Sequence, residues 1–110
     1  MIQKDKLLID ACRSGQLASV EQLIAAGANV DTQDDAGKTA LMISAWWSHA
    51  KTVTALIAAG ANVDAHDHDG NTALMLAARE GNTESILALT IAPEAARIAG
   101  HMLDATTRRK

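Results

Sequence analysis

The stretch AHDHDG, Ala65–Gly70, holds the side chains best suited to bind a metal. His66 and His68 are two positions apart, and an extended strand points both to the same side. Asp67 or Asp69 could join them. A structural zinc site needs four ligands in a closed shell, however, and the other histidines, His49 and His101, stand at no motif spacing from this pair. The expectation is therefore no metal and no cofactor, with a metal-binding loop at His66 and His68 as the weaker alternative. Cys12 is the single cysteine, so no internal disulfide can form and a reducing compartment fits. Asp34 and Asp67 each precede a glycine by three residues, a turn-capping pattern. No nucleophile–base–orienter set, phosphate loop or paired carboxylate cleft is present, which points away from an enzyme. What remains is AWWSHAK, Ala45–Lys51, where Trp46 and Trp47 are the only aromatic residues in a chain without Phe or Tyr.

The 110 residues are enough for one small domain. Half of them are apolar, mostly alanine and leucine, so the core must be thin and built from closely approaching helices. The net charge of −3 is mild, and the basic residues are scattered apart from Arg108-Arg109-Lys110. A nucleic-acid partner needs a basic stripe, so none is expected. No stretch approaches the length of about 18 apolar residues that spans a membrane. The N-terminal MIQKDKLLIDACRSG is interrupted by Asp5 and Asp10 and does not read as a secretory signal. A cytoplasmic location is expected.

The elements that carry these side chains are set by an internal repeat. LIAAGANVD occurs at Leu23–Asp31 and returns at Leu56–Asp64, a shift of 33 residues. GKTALM at Gly37–Met42 returns as GNTALM at Gly70–Met75 with the same shift of 33. In the same register DACRSG, ISAWWS and LAAREG align. A fixed period in this range means a stacked-repeat architecture. In the second and third copies a Thr (Thr39, Thr72) opens a short helix as an N-cap. A break follows at Gly15, Ser48 or Gly81. A second helix then places Val20, Leu23, Ile24, and likewise Val53, Leu56, Ile57 and Ile86, Leu89, on one face. Gly27 and Gly60 stop it, and a loop rich in Asp, Asn and Gly leads to the next copy.

These motifs and their order resemble the ankyrin repeat over residues 1 to about 92. The resemblance implies an all-α solenoid of stacked helix–turn–helix units with projecting hairpin-like loops. It also implies a protein partner bound through the concave face and loop tips. Ala40/Met42 and Ala73/Met75 replace the Pro and His of the family's T-P-L-H tetrad, so the Thr–His hydrogen bond is absent and each unit should be less rigid. The first copy begins almost directly with its helix at about Lys4. The third breaks at Pro93, where Gly60 predicts a glycine. Pro suits a first helical turn, so a separate capping helix is expected at about 94–105, covering the end of the last repeat. The expected organisation is one domain, 1–105, with repeats at about 1–33, 34–66 and 67–92, that capping helix, and a basic tail at 106–110.

The repeat supplies an internal control for the tryptophans. Trp46 and Trp47 align with Arg13 and Ser14 in the first copy and with Arg79 and Glu80 in the third. Slots that accept charge face solvent, because burying an unpaired charge is costly. Adjacent helical residues point about 100° apart, so both rings cannot face one groove squarely, and one can fold back onto Met42, Met75 or His49 as packing. The resemblance puts these slots on the concave face. Gln33, Asp35, Ala36 and Lys38 in one loop, and His66, His68, Asp69 and Asn71 in the next, would continue the strip with Arg13, Arg79 and Glu80. Its mixed charge suits a protein better than a polyanion. The expected function is non-enzymatic recognition of a partner protein, with possible regulation or inhibition of it, by a monomer. The alternative is a self-associating assembly unit, using the tryptophans or the backs of the second helices at Thr54, Ala55, Leu87 and Ala88. Cys12, aligned with Ala45 and Ala78, should fill a small core slot, and His49 should be a structural hydrogen-bonding residue.

Overall fold

A computed structural model describes residues 3–108, without the side chains of 95, 96 and 99 onward. It holds six helices in chain order: α1 Gln3–Ser14, α2 Leu17–Ala25, α3 Ala40–Trp46, α4 Ala50–Ala58, α5 Ala73–Arg79 and α6 Thr83–Arg108. They pair as α1–α2, α3–α4 and α5–α6. The first helices stack in the order α1, α3, α5, and the second helices in the order α2, α4, α6. The sequence period is thus a spatial period, and the fold is an all-α repeat.

The core is one cluster of aliphatic side chains, leucines and valines interleaved with alanines, between the helices. Leu8, Cys12, Val20, Leu41, Ala45, Val53, Leu56, Leu76 and Ala77 are fully or almost fully buried. The i, i+3, i+4 spacing read from the second helices places Val53, Leu56 and Ile57 in this cluster.

The caps follow the sequence closely. Thr39 Oγ1 accepts from the Met42 N–H at 3.2 Å, and Thr72 Oγ1 from Met75 at 3.3 Å. Met42 partly replaces the missing histidine, because its Sδ lies 3.5 Å from the Thr39 N–H and closes a reciprocal capping box through sulfur. At the other end of α3, Ser48 N–H donates to the Ala45 carbonyl and His49 N–H to the Ser44 carbonyl, which ends the helix in a left-handed turn. That turn needs a positive φ. Gly15 and Gly81 supply it in the outer copies, whereas Ser48 is forced to φ 63°.

Side chains tie each copy to the next. Asp31 accepts from the Asn62 N–H at 2.8 Å, while within the first copy Asp5 accepts from the Asn29 N–H at 2.8 Å. His49 reaches back to the Arg13 carbonyl at 3.2 Å, as a structural residue should. Asn82, in the aligned slot, donates to the carbonyls of Ala45 and Trp46 at 2.8 and 2.9 Å.

The C-terminal end departs from expectation. No second helix starts at 94. Instead α6 runs 26 residues from Thr83 to Arg108 with Pro93 inside it. Proline removes one N–H bond, here to the Leu89 carbonyl, and crowds that carbonyl. The alanine-rich sequence around it restores helix on both sides. Because the chain runs on instead of turning, Leu74 and Met75 on α5 remain 44% and 51% exposed, although their counterparts Leu41 and Met42 are buried. Most side chains expected to cap this face, Ala95, Ala99, Met102 and Leu103, lie outside the described residues.

Candidate functional site

Trp46 and Trp47 end α3, and the two rings have different fates. Trp46 is half-buried and packs against the core, while Trp47 is 53% exposed. The hundred-degree step between neighbours on a helix accounts for the difference. Both rings line one hollow of about 150 Å³ with Arg13, Asp34, Lys38 and Ile43. A second hollow of about 310 Å³ adjoins it, lined by Lys6, Ile9, Asp10, Arg13, Asp34 and Asp35. Arg13 and Asp34 belong to both.

The charges here are largely paired within the chain. Arg13 lies 3.6 Å from Asp10 one helical turn away, with both side chains half-exposed. The Lys38 ammonium reaches forward to the next loop and meets Asp67 Oδ2 at 3.1 Å. Asp67 is the buried hub of that loop. Its Oδ1 accepts from the Asp69 and Asn71 N–H groups at 2.9 and 2.8 Å, and Asn71 Nδ2 adds a contact to Oδ2 at 3.3 Å. Burial pushes this carboxyl's pKa up. The Asn71 amide, the Lys38 ammonium, the Asn71 side chain and the Asp69 amide outweigh burial and hold it well below the usual carboxylate range.

Of the residues expected in the strip, Arg13, Asp35, Lys38, Trp46 and Trp47 come together in the two hollows. The third-copy residues line neither hollow. Arg79 donates to Asn71 Oδ1 at 3.0 Å, and Glu80 caps the end of α5 in solvent. His68 is a strut: its N–H donates to the Ala36 carbonyl at 3.0 Å and its ring lies against Gly37. His66 is exposed one residue before the hub. Among the described residues no three His, Cys, Asp or Glu side chains gather as a ligand set. Asp34 and Ile43 were absent from the expected strip. The register could have drawn attention to Asp34, since it occupies in its loop the place Asp67 holds in the next.

Cys12 is buried in the core, and burial, offset in part by Ser44, pushes its thiol up to about 11. It is an inert core residue. Among the described residues no helix is long and apolar enough to cross a membrane.

A family model described as ankyrin repeats, three copies, matches residues 8–98. No curated protein matches the chain. Ankyrin repeats are generally modules for protein–protein interaction rather than enzymes. With three stacked helix pairs in the register that the repeats dictate, the chain belongs to the ankyrin-repeat family.

Proposed function

We propose that this chain is a non-enzymatic recognition module that binds, and by binding regulates, a partner protein through the hollow at Trp46 and Trp47. The observation that carries this is Trp47. It stands 53% exposed in a slot that is charged or polar in both other copies, beside a recess rather than on a flat face. A large rigid ring with few rotors gains much area on contact, which is why tryptophan is common at binding hot spots. A reducing, cytoplasmic setting suits the unpaired Cys12.

The test compares partner capture from the source lysate by wild type and by Trp47→Ala, after circular dichroism shows equal helicity. Loss of a specific protein with the folded variant supports the reading. Equal retention of every captured protein would sink it.

A second reading, self-association, has its own observation. Leu87 and Ile91 are 51% and 58% exposed and line a groove of about 420 Å³ between α4 and α6 with Thr54, Ile57, Ala58, Ala88 and Ala92. An exposed apolar groove of this kind is a common contact site. Sedimentation equilibrium decides it: a monomer at 100-fold dilution and at high concentration alike removes it.

A further inference from the structure

The two loops are nearly superposable in their bonding. Asp34 Oδ1 accepts from the Ala36 and Lys38 N–H groups, each at 2.9 Å, as Asp67 Oδ1 does from Asp69 and Asn71. The Asp34 N–H donates to the Lys38 carbonyl at 2.9 Å, and Asp67 to Asn71 at 2.9 Å. Gly37 and Gly70 close the two turns at the same φ of 80°. One element differs. Asp67 Oδ2 holds the ammonium of Lys38, which stands 29 residues before it. The residue 29 before Asp34 is Asp5, which has no proton donor to offer and is engaged with the Asn29 N–H. Among the described residues no lysine or arginine forms an ion pair with Asp34. The chain thus contains a formed ammonium site at Asp67 and the same site without its ammonium at Asp34.

Asp34 also differs from Asp67 in access. It is partly exposed, and it borders the hollow that Trp46 and Trp47 line. We propose that Asp34 and this hollow receive a lysine side chain presented by the protein partner, an inference that rests on the recognition reading above. The hollow of about 150 Å³ has room for on the order of five waters at about 30 Å³ each, which is the size of a butylammonium chain. Trp and Ile43 accept the methylenes, an indole face attracts the cation, and Asp34 Oδ2 takes one N–H. Lysine fits better than arginine. Asp34 Oδ1 is already taken by two backbone amides, so only one oxygen is open, and a guanidinium fork needs two. The other cations bordering the hollow do not oppose entry strongly, since Lys38 is paired with Asp67 and Arg13 with Asp10. Lys6, in the adjoining hollow, is the local competitor.

The probe is Nα-acetyl-lysine methylamide, titrated into the ¹⁵N-labelled chain, with the uncharged norleucine analogue as control. The expected result is saturable shifts of the Ala36 and Lys38 amides and of both indole N–H signals at millimolar probe, at least tenfold weaker with norleucine. Asp34→Asn keeps the Oδ1 acceptor for the turn and should weaken the lysine response at least tenfold, whereas Asp69→Asn should not. Lys38→Ala is the second variant: it vacates Asp67, and the same probe should then also move the Asp69 and Asn71 amides. Equal response to norleucine, or an unchanged response in folded Asp34→Asn, overturns the proposal. If Asp34→Asn does not fold, failure of Lys38→Ala to gain the second response overturns it. A partner lost by Trp47→Ala but held by Asp34→Asn overturns the lysine inference alone. A partner indifferent to Trp47→Ala overturns the recognition reading itself.

Discussion

Lys38 Nζ and Asp67 Oδ2 lie 3.1 Å apart across a repeat boundary, with the Asp67 side chain wholly shielded from solvent. The pair fixes one loop tip against the next. It also removes from the binding strip a charge that a surface lysine would otherwise offer. Removing the cation leaves a buried carboxylate with only neutral donors, the Asp69 and Asn71 amides and the Asn71 side chain, so Lys38→Met should destabilise the fold by about 1–2 kcal/mol at neutral pH, discounted for the partial exposure of the lysine. Thermal melts of the two proteins check this.

The same carboxylate sets an acid limb. Its pKa in the fold lies below its value of about 4 in the unfolded chain. The unfolded state therefore binds the proton more readily, and the stability this group contributes is present above about pH 4 and lost as pH falls below it. Asp67→Asn should be less stable than wild type at pH 7, with the gap narrowing from pH 5 to pH 2. Urea midpoints across that range test it, and a gap independent of pH refutes it.

Ser48 occupies a left-handed position at φ 63° that its aligned counterparts fill with glycine. An L-residue there costs about 1–2 kcal/mol. Ser48→Gly should raise stability by about 1 kcal/mol, a melting shift of roughly 4–8 °C in a domain of this size, with unchanged circular dichroism.

Gly37 and Gly70 share a φ of 80° but not a neighbourhood. A β-carbon on Gly37 would stand 2.5 Å from the His68 ring and 2.9 Å from the His68 backbone nitrogen, whereas one on Gly70 meets nothing within 4 Å. Both alanine variants bear the backbone strain of about 1–2 kcal/mol. Gly37→Ala should lose about 1–3 kcal/mol more, because the backbone contact cannot swing away. Equal melting temperatures would contradict this packing.

Cys12 should be slow to react. A thiol held at about 11 is almost entirely protonated at pH 8, and the thiolate is the nucleophile. A disulfide reagent at pH 8 should label it at the rate of unfolding and at once in denaturant. Because the unfolded thiol titrates near 9, stability from this group is full below that pH and is lost as pH rises towards 11.

Much of this fold could be read from the 33-residue period, because a repeated pattern forces a repeated environment. The helix pairs, the Thr39 and Thr72 caps, and the outward orientation of Trp47 all follow from it. Alignment gives a residue its slot but not the neighbour that covers the slot. Ala45 is buried under α5, while Ala78, its equivalent, is exposed because no described helix packs beyond it. Pro93 was misleading for a different reason: an alanine-rich helix on both sides carries the chain through the lost hydrogen bond and the crowded Leu89 carbonyl. Lys38 read as a surface charge because its partner lies in the following copy, which only the i to i+29 comparison exposes.

The bonds that cross repeat boundaries have a short range. Asp31 reaches Asn62, His49 reaches Arg13, and Asn82 reaches Ala45 and Trp46, and each of them links only a copy to its neighbour. A perturbation therefore decays along the stack one unit at a time. The middle unit is the only one gripped from both sides, and it is the unit that carries the tryptophans. A ligand seated there would rest on the unit held at both of its boundaries, and what it felt of either end would arrive through a few polar handholds.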